Sequence, residues 1–166
     1  MLEKIFLAII LLKVVNALKI RIAGLVPESY VDGEGIRFAV FMQGCLRNCK
    51  GCQNPETHDL NGGKIIDTSE IIDAIKKNPL LMGITLTGGE PLLQIAPALE
   101  LARAAKNLNL NVWLYTGYKF EEIPEDAQEL LNFVDVVVDG EFVEELRDLT
   151  LDFRGSKNQR IIYLRR

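Results

Sequence analysis

The sequence predicts an α/β domain on a mostly parallel sheet, a partial (β/α) barrel of about five strands or an open twisted sheet. Apolar, β-branched runs alternate with helical patterns along the chain. The runs are near-continuously apolar, as strands are when helices cover a sheet. And 166 residues make one ordinary domain, whose five or so strands are too few to close an eight-stranded barrel.

Taken in order, Ala17 to Gly24 reads as an added edge strand. Arg37 to Gln43 (RFAVFMQ) reads as the first full strand and runs into a cysteine loop. Thr68 to Lys77 carries Ile71, Ile72 and Ile75 at helical spacing, with Thr68 or Ser69 as N-cap. Gly83 to Thr87 (GITLT) is the second strand. Pro97, suited to a first helical position, opens a helix to about Asn107 whose Leu101, Ala102 and Ala105 face inward. Strand Asn111 to Tyr115 follows, then a helix around Glu125 to Asn132, strand Val134 to Val138, a short helix near Phe142 to Arg147 and strand Arg160 to Leu164. Such alternation implies parallel strands with right-handed crossovers, and ligands then gather at the carboxyl ends of the strands. Four loops share that rim: the Cys45 loop, Gly88-Gly89-Glu90, Thr116-Gly117-Tyr118 and Asp139-Gly140.

Forty-eight per cent hydrophobic and 25 per cent charged residues is a globular balance, so long disorder is not expected. A net charge of −4 gives no basic footprint for phosphate backbones, so no nucleic acid partner is expected. Ile5 to Leu12 (IFLAIILL) and Val15-Asn16-Ala17 raise the question of a secretory signal. Glu3 offsets Lys4, however, and Lys13 breaks the run, which is also far short of the roughly 20 residues of a membrane span. Residues 1–16 are therefore expected to be an apolar extension, residues 17–166 the domain, and the protein cytoplasmic with no membrane partner.

All three cysteines, Cys45, Cys49 and Cys52, fall within eight consecutive residues. An odd, clustered set cannot build a disulfide framework and points to metal binding in a reducing compartment. Structural zinc needs a fourth donor, and His58 is the candidate nearby. A [4Fe-4S] cluster on three thiolates instead leaves one iron open to a small-molecule ligand. Thr87-Gly88-Gly89-Glu90-Pro91 reads on its own as a strand-to-helix turn, its glycines supplying unusual backbone angles.

The spacing of three residues and then two between the cysteines resembles that of the radical S-adenosylmethionine enzymes. The resemblance implies that Cys45, Cys49 and Cys52 ligate a [4Fe-4S] cluster and that S-adenosyl-L-methionine is the second cofactor. It further implies that Gly88, Gly89 and Glu90 hold the methionine amino group, and that Gly51, Cys52 and Gln53 border the adenine. Gly51 stands where many members carry an aromatic residue, so a stacking side chain is missing there. No residue beyond the cluster and cofactor is implied in the chemistry.

Further stretches resemble the glycyl-radical activating enzymes, in register from about Ile20 onward. Val31-Asp32-Gly33-Glu34-Gly35-Ile36-Arg37 is similar to their segment before the first strand, with Glu34 where proline is usual. Trp113-Leu114-Tyr115-Thr116-Gly117-Tyr118 is similar to their third-strand loop. Val138-Asp139-Gly140-Glu141-Phe142 with Arg154-Gly155-Ser156-Lys157-Asn158-Gln159 resembles one subgroup, the activating proteins of anaerobic ribonucleoside-triphosphate reductase. Singly, these stretches also read as a turn, as core or rim aromatics and as a solvated loop; their order and intervals favour the subgroup. The partners so implied are the glycyl-radical subunit of that reductase and flavodoxin or ferredoxin as electron donor. A short chain also leaves the barrel an open side through which a protein substrate could insert a glycine-bearing loop. The rivals are activation of another glycyl-radical enzyme such as pyruvate formate-lyase, and a non-catalytic iron-sulfur or zinc module.

Overall fold

The computed structural model describes residues 18–165, so the expectations for residues 1–16 and for Ala17 lie outside the described residues. Seven strands form one sheet in the order β3-β1-β2-β4-β5-β6-β7. They are β1 (Lys19–Ser29), β2 (Arg37–Met42), β3 (Lys64–Asp67), β4 (Gly83–Gly88), β5 (Asn111–Tyr115), β6 (Val136–Asp139) and β7 (Arg160–Tyr163). The central four, β2, β4, β5 and β6, are mutually parallel. The edges correct the expectation of about five parallel strands: β1 runs antiparallel to β2 and β3, and β7 antiparallel to β6. A parallel return needs a crossover, usually a helix. Between β6 and β7 there is only the 3-10 turn Glu144–Leu146 where a short helix was expected, so the chain doubles back along the edge. The outer strands β3 and β7 do not pair with one another, and the sheet stays open.

The described residues form three α-helices: α1 (Thr68–Lys76), α2 (Ile95–Asn107) and α3 (Gln128–Leu131). The cap of α1 is Asp67, whose N–H donates to the Glu70 carboxylate at 3.2 Å. Thr68, expected as the cap, is buried, and its hydroxyl donates to Glu100 at 2.6 Å. Pro97 is the third residue of α2, after a 3-10 turn at Pro91–Gln94. It costs no bond there, because the first four helical N–H groups have no intrahelical acceptor. Strand β6 begins two residues later than expected, since the N–H groups of Phe133 and Val134 still bond back to Leu130 and Leu131.

Side chains of the central strands alternate between two faces. Phe38, Val40, Met42, Ile84, Leu86, Val112, Leu114 and Val137 join Ile71, Ile75, Leu101, Ala102, Ala105 and Leu130 of the helices in the main core. Each such side chain fully withdrawn from water contributes about 1.5–3 kcal/mol for the larger aliphatics. Among the described residues the opposite face carries no α-helix. Trp113, Val136 and Val138 there pack with Tyr115, Phe153 and Ile161, so the covering layer is the irregular segment between β6 and β7. Both faces are buried, which is why the strands read as continuously apolar although helices cover only one.

Candidate functional site

On the helix-free face lies a cavity of about 500 Å³, within the ordinary range for small-molecule sites. Its lining draws on the cysteine loop (Cys45, Cys49, Cys52, Gln53), the turn after β4 (Gly88, Gly89, Glu90), the turn after β5 (Thr116, Gly117) and the stretch after β6 (Gly140, Glu141). The four loops expected to share a rim therefore do so. Tyr118 and Asp139 of those loops are not in the lining. Tyr118 stacks under the Arg47 guanidinium at 4.2 Å, and Asp139 accepts from the Phe120 N–H and from Arg160.

The cysteine loop is closed at its base by main-chain bonds from Gly44 N–H to Thr57 O (2.8 Å) and Cys45 N–H to His58 O (3.2 Å). Buried Gln43 reinforces it, donating to the carbonyls of Glu56 and Asp59 at 3.0 and 2.7 Å. All three thiols are free and partly exposed. Burial is the main influence raising the Cys45 and Cys49 thiols above their ordinary value. The main-chain N–H of Asn54 lies 3.4 Å from the Cys52 sulfur, while main-chain N–H groups of Arg47 and Asn48 oppose the rise at Cys45 and that of Phe142 the rise at Cys49. Such N–H···S contacts suit thiolates that hold a metal cluster. Among the described residues no three His, Cys, Asp or Glu side chains are gathered closely enough to hold a single ion.

The turn after β4 owes both glycines to close approach. Gly88 has φ +95°, and a Cβ there would sit 2.6 Å from the Met42 nitrogen. A Cβ on Gly89 would sit 2.3 Å from the Gly44 carbonyl oxygen. The contact is a bonded one: Gly89 N–H donates to Met42 O and Glu90 N–H to Gly44 O, each at 2.8 Å. The turn is thus locked to the stem of the cysteine loop.

Glu90 is 3% exposed. Its carboxylate accepts from the N–H groups of Leu92 and Gly117 at 3.0 and 2.9 Å and from the Thr116 hydroxyl at 3.0 Å. Burial pushes its pKa up, and these donors oppose that rise. Gly51, with φ +68°, is not in the lining, and a Cβ there would meet the Glu144 carboxylate at 2.8 Å. Cys52 and Gln53 of the same turn do reach the cavity.

Sequence reasoning missed Arg47. It ion-pairs with Glu141, lies 3.9 Å from Glu90 and stacks on Tyr118, joining the cysteine loop to three other loops. No local pattern marks it, because its partners lie up to 94 positions away. Gln159 closes the stretch that begins at Arg154. Its side-chain oxygen accepts the N–H groups of Gly155 and Ser156, and its amide donates to Gly140 O.

Three free cysteines beside a Gly-Gly-Glu turn at the carboxyl ends of parallel strands define an iron-sulfur class of protein, and residues 31–162 match the family model described as a 4Fe-4S single cluster domain. The anaerobic ribonucleoside-triphosphate reductase-activating protein of Haemophilus influenzae is 34% identical over 141 residues, covering 80% of this chain and 91% of that one. Its Escherichia coli K12 counterpart is 34% identical over 147 residues (84% and 96%), and that of Enterobacteria phage T4 is 36% identical over 143 residues (81% and 88%). The chain belongs to this family of activating proteins. Among solved structures, QueE from Escherichia coli matches with a TM-score of 0.49 and 14% identity over 73% of this chain and 70% of that one.

Proposed function

We propose that this chain is a radical S-adenosylmethionine enzyme that generates a glycyl radical on anaerobic ribonucleoside-triphosphate reductase. The observation that carries the proposal is one cavity shared by Cys45, Cys49, Cys52 and the Gly88-Gly89-Glu90 turn, in a chain whose relatives are named for activating that reductase. When bound, the [4Fe-4S] cluster and S-adenosylmethionine supply a one-electron cleavage to methionine and a 5'-deoxyadenosyl radical, which takes a hydrogen atom from glycine to give 5'-deoxyadenosine and the glycyl radical. Reduced flavodoxin or ferredoxin supplies the electron.

The chain's own residues bind and orient. Cys45, Cys49 and Cys52 hold the cluster. The carbonyls of Gly88 and Gly89 and the Glu90 side chain hold the methionine amino group. Cys52 and Gln53 border the adenine, with Gly51 behind them. We read the open sheet as a partial barrel whose gap admits the partner's loop.

The test is anaerobic. The reconstituted protein, reduced with S-adenosylmethionine present, is expected to release methionine and 5'-deoxyadenosine in equal amounts, and to raise a glycyl doublet in electron spin resonance when the reductase is added. Cys45→Ala, Cys49→Ala and Cys52→Ala are each expected to lower bound iron and abolish both signals. Protein that binds four irons yet leaves the cofactor intact would sink the reading in favour of a non-catalytic cluster module. A doublet on pyruvate formate-lyase but not on the reductase would move it to the other activase class.

A further inference from the structure

The stretch Phe153 to Gln159 has so far no part in the function, yet it carries the second arginine of the cavity. Two arginines line that cavity, Arg47 and Arg154. Arg47 is neutralised by Glu141 and neighbours Glu90. Arg154 makes one hydrogen bond, from a terminal nitrogen to the Gln159 carbonyl at 3.0 Å, and no ion pair among the described residues. Its Nε is buried with no partner. A guanidinium has five N–H donors, and a buried donor without an acceptor is costly enough that it usually marks a role.

The loop does not need that donor for its fold. Gln159 organises it through three hydrogen bonds, and the Tyr115 hydroxyl ties it down through the Phe153 carbonyl at 2.8 Å. Phe153 itself has φ +57°, a left-handed conformation unfavourable for a bulky residue. Its ring meets Trp113 edge-on at 5.4 Å. The backbone thus adopts an uncommon shape that puts Phe153 on the sheet and its neighbour Arg154 in the cavity.

Position along the strands separates two halves of this cavity. The cysteines, Gly88 to Glu90 and Thr116 lie at the carboxyl ends. Asp32, whose carbonyl accepts from the Thr85 hydroxyl, and Phe153, on Trp113, lie against the middle of β4 and β5. The lining also includes Tyr30, Val31, Leu151 and Phe153 with the acidic Asp32 and Asp152, and Tyr30 and Val31 are 64% and 75% exposed. Apolar side chains, the carboxylates of Asp32 and Asp152 and one guanidinium with unused donors suit an uncharged peptide that offers main-chain carbonyls, not a second anion.

We propose that Arg154 binds main-chain carbonyl oxygens of the glycine-bearing peptide of the partner protein. The inference rests on the activase reading and adds a substrate-binding residue to it. The terminal N–H donors of its guanidinium hold peptide carbonyls in one orientation, with the adjacent glycine Cα facing the cofactor residues of the same cavity.

The test uses the full chain with its cluster reconstituted, as wild type, Arg154→Gln and Arg154→Lys. Iron content and the change in the reduced cluster's resonance spectrum on adding S-adenosylmethionine report the cofactor half. Cofactor cleavage under dithionite without partner is expected to keep its KM and kcat in both variants. Glycyl-radical formation on the reductase subunit is expected to lose about 10- to 100-fold in kcat/KM in Arg154→Gln, mostly through KM. Arg154→Lys, which keeps the charge but not the fork, is expected to recover little. A rise in the KM for S-adenosylmethionine, or full rescue by lysine, would overturn the inference, the first by assigning Arg154 to the cofactor and the second by reducing its role to charge. Unchanged radical formation in Arg154→Gln would also overturn it. Failure of the wild type to cleave the cofactor would instead remove the activase reading, so the two failures are distinguishable. Should Arg154→Gln lose its cluster, Arg154→Lys alone decides, by whether the KM for the reductase rises.

Discussion

At the scale of single residues, Glu90 is the joint of the site. One buried carboxylate accepts from two main-chain N–H groups and the Thr116 hydroxyl, tying the turn after β4 to the turn after β5. Glu90→Ala leaves those donors without an acceptor, at about 1–3 kcal/mol for each that stays buried, and urea unfolding of the apoprotein measures it. Glu90→Gln isolates the charge. Burial raises the folded-state pKa above that of the unfolded chain, so Glu90 contributes stability that is complete below about pH 4.3, the unfolded value, and is lost as pH rises through the folded one. The stability of wild type relative to Glu90→Gln is therefore expected to decrease from about pH 4.3 toward neutrality. Urea midpoints of both proteins across that range measure it, and a difference that widens with pH would contradict the assignment. Glu90 was legible in the sequence because it belongs to a contiguous turn. Arg47 and Arg154 were not legible as site residues, since their surroundings are assembled from distant segments and leave no local spacing.

Elements divide the glycines of the rim into those that need space and those that need only a backbone angle. Gly89→Ala forces a Cβ to within 2.3 Å of a backbone oxygen that cannot swing away. It is expected to cost more than about 2 kcal/mol and to abolish the cofactor-induced spectral change, because the turn must leave the stem of the cysteine loop. Gly140 has φ +95° but open space, with nothing nearer than 3.9 Å, so Gly140→Ala is expected to cost about 1–2 kcal/mol of backbone strain. Gly24, in β1 with nothing within 4 Å, is the control, and Gly24→Ala is expected within about 0.5 kcal/mol of wild type or above it. Thermal melts of the three apoproteins give the order, and a Gly89→Ala protein as stable as Gly24→Ala would refute the close-approach account. Element identity followed sequence where burial was strong: β2, β4 and β5 lie within one residue of their expected limits. It failed at β3, whose Lys64 and Ile65 are exposed and whose Ile66 and Asp67 are only half buried, so the four-residue strand presents no apolar face. Direction failed at β7, because side-chain alternation is the same for either sense of a strand and the connection decides it.

For the whole molecule, Arg37 links regions that the sequence shows only as separate runs. Fully buried on the helix-free face, it donates to Thr85 Oγ1 at 2.7 Å, to Ile84 O at 2.6 Å and to Glu34 O at 2.9 Å, and stacks on Trp113 at 5.3 Å. The Thr85 hydroxyl donates in turn to the Asp32 carbonyl at 2.7 Å. One cation thereby joins β2, β4, β5 and the segment before β2 that lines the cavity. Burial lowers its pKa to about 10, which still leaves it charged at neutral pH. Arg37→Met fills most of the volume but none of the hydrogen bonds, and is expected to destabilise by about 2–4 kcal/mol. Arg37→Ala removes the packing on Trp113 as well and is expected to cost about 1–3 kcal/mol more. Trp113 is the protein's single tryptophan and is fully buried, so its fluorescence in the apoprotein reports this joint directly. Its emission is expected to shift red at lower urea in the order wild type, Arg37→Met, Arg37→Ala, coincident with loss of circular dichroism, as a single cooperative unit requires. A fluorescence transition in Arg37→Ala that precedes the dichroism transition would show instead that the covering segments detach from a sheet that stands without them.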